Sequence, residues 1–187
     1  MEFTKIPENT FSQLQLNAGV IAKSFTPSSK TVGDLLAATT GGIQFTATPS
    51  FVDMGEDVDN CPKNTKELKK LDTWEITMSG TFVTISTASA KMLMAAADID
   101  SSDTSKVTPR NDLKESDFGD IWWVGDYANA GDSSKGFVAI HMKNALNTGG
   151  FQLKSADKEK GQFAFEFTAH YSAADTDDVP FEVYIAA

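Results

Sequence analysis

Along much of this chain apolar and polar side chains alternate one by one, the period of a strand with one dry face and one wet face. Residues 43–52, IQFTATPSFV, place Ile43, Phe45 and Phe51 on one face and Gln44, Thr46, Thr48 and Ser50 on the other. Pro49 has no N–H to give to a neighbouring ladder, so the segment belongs at a sheet edge or at a bulge. Residues 73–86, TWEITMSGTFVTIS, repeat the pattern with Trp74, Ile76, Met78 and Phe82 against Glu75, Thr77, Ser79 and Thr81, and Gly80 marks a kink. Further strands are predicted at 121–125 (IWWVG), 136–143 (GFVAIHMK), 161–172 (GQFAFEFTAHYS) and 179–185. In 161–172, Phe163, Phe165, Phe167 and Tyr171 stand opposite Glu166, Thr168 and His170.

The alternation gives way at 87–97, TASAKMLMAAA, where Ala, Met and Leu follow hydroxyl residues and precede Asp98, which predicts an α-helix. TVGDLLAAT at 31–39 is a second, shorter helical candidate. The fold class is therefore mainly β: a β-sandwich or open barrel with one flanking α-helix and long loops. One domain spans 1–187, with residues 1–8 as a flexible N-terminal extension. Two long connections, 53–72 and 98–120, stand out because loops beyond about a dozen residues are uncommon in compact domains and often functional. The first segregates charge: Asp53, Glu56, Asp57 and Asp59 precede Lys63, Lys66, Lys69 and Lys70, a pattern suited to contact with another subunit.

Composition narrows the function. At 187 residues the chain can bury roughly two thirds of its unfolded surface, with 13 Phe to fill the core. The single Cys61 forms no internal disulfide and no cysteine-based zinc site, so packing must supply the stability. A net charge of −10 argues against nucleic-acid binding, which rests on cations that displace phosphate counterions. The same charge suits a surface that DNA must pass without sticking. No stretch approaches the ~18 apolar residues of a membrane helix. MEFTKIPENTF has neither the basic head nor the apolar core of a secretion signal, so use without secretion or membrane anchoring is expected.

No motif assembles a catalytic or cofactor site. His141 and His170 fall within strands, with no nucleophile or orienting carboxylate signalled beside either, and read as hydrogen-bonded structural residues. Cys61 in NCPKN reads as an unreactive loop thiol, and DIDSSD at 98–103 lacks the glycine and glutamate of an EF-hand. Trp122 and Trp123 point to opposite faces of a strand, one to a core and one to a surface or interface. Gly41-Gly42 and Gly149-Gly150 lack the spacing of a phosphate loop and read as turns.

Taken in order, NTFSQLQLNAG (9–19), GEDVDNCPKNTKELKKLDTWE (55–75), TPRNDL (108–113), DFGDIWWVGDY (117–127), KNALNTGGFQL (143–153), KEKGQFAFEFTAHYS (158–172) and VPFEVY (179–184) resemble the major tail tube proteins of long-tailed bacteriophages, above all those of Gram-positive hosts. The resemblance covers nearly the whole chain from Pro7 and lies in the ordered set, since none of the strings encodes a chemical site. It implies a non-enzymatic virion protein without cofactors, a β-sandwich with a flanking helix, six copies closing into a ring through shared sheets, and rings stacked into a hollow tube for DNA. The implied partners are further copies of the chain, the tape measure protein, the tail initiator or distal tail protein and the tail terminator. Assembly is then expected in the cytoplasm of the bacterial host. Some members carry an immunoglobulin-like domain after the tube domain; with the last strand ending near Ala187, none is expected here.

Within that frame Gln44, Thr46, Thr48 and Ser50 are expected to face the lumen, as uncharged groups that keep a wall wet without offering phosphate a cation. The tubes of contractile tails and type VI secretion share the architecture. A carbohydrate-binding or adhesion β-sandwich, built on Trp122 and Trp123, is the alternative from another class.

Overall fold

The computed structural model describes residues 5–8, 10, 13–127 and 136–186. Among these the strands are β1 (Val20–Ala22), β2 (Phe25–Thr26), β3 (Thr31–Val32), β4 (Thr39–Asp53), β5 (Lys69–Phe82), β6 (Ala97–Ile99), β7 (Val107–Pro109), β8 (Gly119–Asp126), β9 (Phe137–Asn147), β10 (Gln152–Lys154), β11 (Gln162–Thr168) and β12 (Phe181–Ala186), with one α-helix, α1 (Thr87–Leu93), between β5 and β6. The main sheet runs β1-β8-β9-β11-β5-β4, with β12 beside β9 and β10 beside β11. The path stays open and does not close into a barrel, which fits the expected β-sandwich with one helix.

The sandwich turns on β9. Its residues 137–142 lie between β8 and β12, whereas Leu146 and Asn147 pair with β11. The change of partner falls at a bulge, where Gly119 faces Ala145 but Ile121 already faces Met142. Asn144 takes the left-handed conformation there (φ 49°), which asparagine tolerates better than most residues. The β1-β8-β9-β12 layer thereby folds over the β11-β5-β4 layer. Ile21, Ile121 and Met142 from the first meet Ile76, Met78, Phe82, Phe165 and Phe167 from the second, under Leu93 of the helix. Between the ends of the layers, Phe181 packs edge-on to Trp74 at 5.5 Å. Gly80 lies where the ring of Phe165 crosses β5: a Cβ there would stand 2.7 Å from Phe165 Cζ.

Several boundaries differ from expectation. The helix ends at Leu93, not 97, because Ala95 adopts φ 60° and Ala97 is drawn into the β6-β7 hairpin. Its start is fixed by Ser86 and Ser89, which cap each other's backbone N–H groups. Residues 31–39 form no helix; Thr31–Val32 pair with β2, and Leu36 N–H bonds Ile21 O so that its side chain reaches the core. The 161–172 strand stops at Thr168. Beyond it, Trp74 N–H donates to the Tyr171 hydroxyl, a side chain standing where a ladder carbonyl would. Gly41 and Gly42 form no turn but an irregularity inside β4, both with positive φ. Of the expected N-terminal extension, residues 5–8 are exposed and residues 1–4 lie outside the described residues.

The 98–120 connection is built rather than loose. It contains β6, β7 and a 3-10 turn, Glu115–Asp117, organised by Arg110. That guanidinium donates to both Asp117 oxygens, at 2.6 and 2.7 Å, and its Nε lies 2.8 Å from Asp98 Oδ2. Burial pushes the Asp117 carboxyl up, but the Lys114 N–H and Arg110 outweigh it and hold it below its ordinary value.

Asn147 joins three parts of the fold. Its amide donates to Leu93 O at the helix end (2.6 Å) and to Gly150 O (3.0 Å), and its oxygen accepts from Glu166 N–H (2.9 Å). Asn147→Ala leaves one buried and two half-buried backbone groups without this partner and should cost about 3 kcal/mol, read as a lower urea midpoint at unchanged m-value. A loss below about 0.5 kcal/mol would show that the three parts hold together without it.

Candidate assembly surfaces

β4 is the outermost strand of its layer and pairs on one side only, with β5. It carries no charged residue from Thr39 to Val52, so it lacks the charge that normally protects a strand edge. Both readings of Pro49 hold, because it sits on an edge strand and at a register shift between Pro49 and Phe51. On the other side of this layer β10 pairs only with β11, which leaves a second, shorter edge.

Gln44, Thr46, Thr48 and Ser50 are all exposed on one face of β4. Across the sheet they continue as rows: Gln44 beside Ser79 and Glu166, Thr46 beside Thr77 and Thr168, Thr48 beside Glu75. Hydroxyls knit the surface, with Thr148 Oγ1 2.8 Å from Thr168 Oγ1 and Ser50 Oγ 3.2 Å from Thr73 Oγ1. Glu75 and Glu166 bring negative charge to its middle, while Lys154 stands at its end beside Gln162. The wet face is thus a hydroxyl sheet with an acidic centre.

β4 and β5 run on beyond the core as a two-stranded ribbon. Asp53, Lys69 and Lys70, expected in a loop, lie on these strands, so the connection between them is residues 54–68. Phe51, expected on the buried face, is half-exposed, because past the bulge the ribbon has no second layer beneath it. Lys69 Nζ lies 5.1 Å from the Phe51 ring centroid. Asp53 braces the tip rather than projecting from it: Oδ1 accepts from Gly55 N–H and Oδ2 from Asn64 N–H, bonds that hold its carboxyl below the usual range. Glu56 approaches Lys63 at 3.9 Å, and Lys66 approaches Glu67 at 3.5 Å. Phe51, Val52, Met54, Val58 and Leu71 add apolar surface to this charged tip. The charge of the loop was legible in the sequence. Its apolar component was not: Phe51 read as strand core, and Met54, Val58 and Leu71 fell in a connection read for its charge alone.

The remaining candidates are occupied structurally. Trp122 is buried in a second small core with Phe25 and Phe137, and its indole stacks on His141 at 4.0 Å. A sugar-stacking platform there is already filled. Trp123 donates its indole N–H to Ala18 O and packs against the main core. His141 Nε2 lies 3.0 Å from Asp120 Oδ2, and His170, beyond the end of β11, contacts Asn144 O at 3.2 Å. Cys61 is half-buried against Thr65. Among the described residues no cluster of three or more His, Cys, Asp or Glu could hold a metal, and no helix is long and apolar enough to cross a membrane.

One network escaped sequence reading. Glu182 of β12 receives Lys143 Nζ at 2.8 Å and the Tyr184 hydroxyl, and Lys143 also reaches Asp178 at 3.0 Å. Alternation along β9 and β12 places these groups on strands but not opposite each other; that needs the register Glu182↔His141.

No protein-family model matches the chain, and no characterised protein matches it significantly in sequence. Among solved structures, it is similar to a chain from the virion of a native gene transfer agent particle, at 7% identity and a TM-score of 0.44, over 91% of this chain and 96% of that one. Neither value is high enough to carry function across.

Lys143, then Tyr184, holds the Glu182 carboxyl at about 2 against an ordinary 4.5. Because the folded value is depressed, the carboxylate stabilises the fold above about 4.5, and that contribution is lost as the pH falls toward about 2. Glu182→Gln should therefore be less stable than the parent at neutral pH and close to it near pH 2, by urea unfolding at each pH. A pH-independent difference would refute the pairing.

Proposed function

We propose that this chain is the structural subunit of a hollow tail tube, in which copies join edge to edge into a ring of six and rings stack around a channel for DNA. The observation that carries this reading is the long, uncharged, open edge of β4 in a layer whose other edge, β10, is also open. Head-to-tail pairing between two different edges repeats and closes when the rotation per copy closes. Edge pairing adds the β4 hydrogen bonds that a free copy leaves to water.

The hydroxyl face of β4, β5 and β11 forms the inner wall in this reading, with Gln44, Thr46, Thr48 and Ser50 toward the lumen. Such a wall is wet and presents few cations, and Glu75 and Glu166 repel the duplex over about 8 Å at physiological ionic strength. A basic wall would grip phosphate by counterion release and stall passage. The tip supplies contacts between copies through Glu56, Asp57, Lys63, Lys66, Lys69 and Lys70, with Asp53 shaping it from within. The particle's tape measure, tail initiator and tail terminator proteins are the natural partners, and the assembled virion the location. The covered indole of Trp122 weighs against the carbohydrate-binding alternative.

Electron microscopy of concentrated protein should show stacked rings with a central channel. A map that places Gln44, Thr46, Thr48 and Ser50 on the outer surface, or a positive channel, would contradict the reading.

Charge at the tip should act on encounter more than on folding. Lys66→Glu with Lys70→Glu should slow assembly roughly tenfold at low salt, and less at high salt, with stability within about 0.5 kcal/mol of the parent. Light scattering across a salt series measures the first and urea unfolding the second; unchanged assembly at every salt concentration would remove these lysines from the interface.

A further inference from the structure

One end of the β1-β8-β9-β12 layer turns an apolar face to solvent. Period two puts Ile121, Met142 and Phe181 in one row of its inward face, Trp123, Ile140 and Val183 in the next, and Gly125, Val138 and Ile185 in the last. The first row lies in the main core, but cover thins along the face until Val183 is 48% and Ile185 68% exposed. None of the three rows carries a charge. Among the described residues β12 pairs only with β9, so the uncovered row borders an open strand edge.

The N-terminal arm is rooted on this same face. Gln15 bridges Tyr127 just past the end of β8, and its Nε2 stands 2.8 Å from the point a Cβ on Gly125 would occupy. Asn17 fixes the root, its amide donating to Asp126 Oδ2 at 2.8 Å and its oxygen accepting from Asp126 N–H. The Gln15 side chain thus fills the first place in the last row. Val138 and Ile185 are the next two places, about 10 Å across at two strand spacings. Thr10 N–H bonds Pro7 O and closes a turn, and the five residues from there to Gln15 reach about 16 Å when extended. The turn can therefore come over Ile185, with Ile6, now 63% exposed, falling back toward Val183. Ahead of Gln15 the sequence supplies Phe3, Ile6, Phe11 and Leu14, with Glu2, Lys5 and Glu8 its only charges. So short a tether gives the arm a local concentration in the millimolar range, whereas a second copy of net charge −10 is repelled.

We propose that the N-terminal arm is a strap that docks on the end of its own first layer, Ile6 and the turn beside it covering Val138, Val183 and Ile185. The contact lies within one copy and holds whether or not copies assemble, so it goes beyond the tube reading. With the strap in place a free copy hides the apolar row beside the β12 edge, and that edge draws in no stray strand.

Trypsin reads the strap through Lys5, whose bond to Ile6 is protected only while the arm is docked. In dilute native protein Ile185→Asp should speed cleavage after Lys5 at least tenfold and leave cleavage after Lys63, in the ribbon tip, unchanged. Ile185 is exposed, so the substitution leaves the fold intact, which urea unfolding checks. Equal cleavage after Lys5 in parent and variant overturns the proposal. A cysteine pair gives a second reading in a Cys61→Ser background. Oxidised in dilute solution and followed by intact mass, Ile6→Cys with Ile185→Cys should close an intrachain disulfide at least tenfold faster than Ile6→Cys with Thr31→Cys. Thr31 lies on the β2-β3 hairpin, whose Phe25 covers the opposite face at Trp122. Equal rates for the two pairs, or a disulfide-linked dimer in place of the intrachain bond, overturn the strap.

Discussion

Every backbone N–H and C=O removed from water must find a partner, and β9 is where this chain meets that demand for two layers at once. Its first six residues lie between β8 and β12, and its last two pair with β11. The bulge at Asn144 redirects the strand, and Asn147 then satisfies carbonyls of the helix end and the following turn. The sandwich and the anchoring of the helix end both depend on that one change of partner. The apolar contacts between layers supply the greater part of the stabilisation, but they are non-directional and would not by themselves choose this arrangement.

The same demand explains what remains open. The β10-β11-β5-β4 layer has an unpaired strand at each side, β10 and β4, and the usual devices that protect edges are sparse on β4. Pro49 and the irregularity at Gly41-Gly42 interrupt the strand without charging it. An acidic subunit of net charge −10 limits uncontrolled association through that edge by mutual repulsion. In the proposed assembly the lysines at the tip are the places where repulsion between copies is relieved. In the proposed tube, edge pairing and the wet inner wall use different surfaces of the chain and do not compete.

Much of the architecture was legible because period-two alternation is set by geometry. The β4, β5, β8, β9, β11 and β12 strands, the wet face of β4 and the edge position signalled by Pro49 all follow from it. The failures share a cause, which is that tertiary partners override local pattern. Thr31 to Thr39 has helical composition, yet Leu36 is taken by the core through Ile21. Ala95 to Ala97 would extend a helix, yet Arg110 N–H bonds Ala96 O and the β6-β7 hairpin takes the chain. Phe51 alternates like a core residue, but the core ends before it. Registers such as Glu182 beside His141 relate segments some forty residues apart, which no single-strand pattern encodes.

The central claim is that β4 is completed by another copy of the chain, and amide hydrogen exchange along that strand measures this directly. In the free subunit the outward N–H groups of residues 43–52 face solvent and should exchange quickly, while those paired with β5 are protected. In assembled material the outward set should become protected at least a hundredfold, with a parallel gain in β10 and little change in β8. Equal exchange of β4 in the free and assembled states would contradict the account.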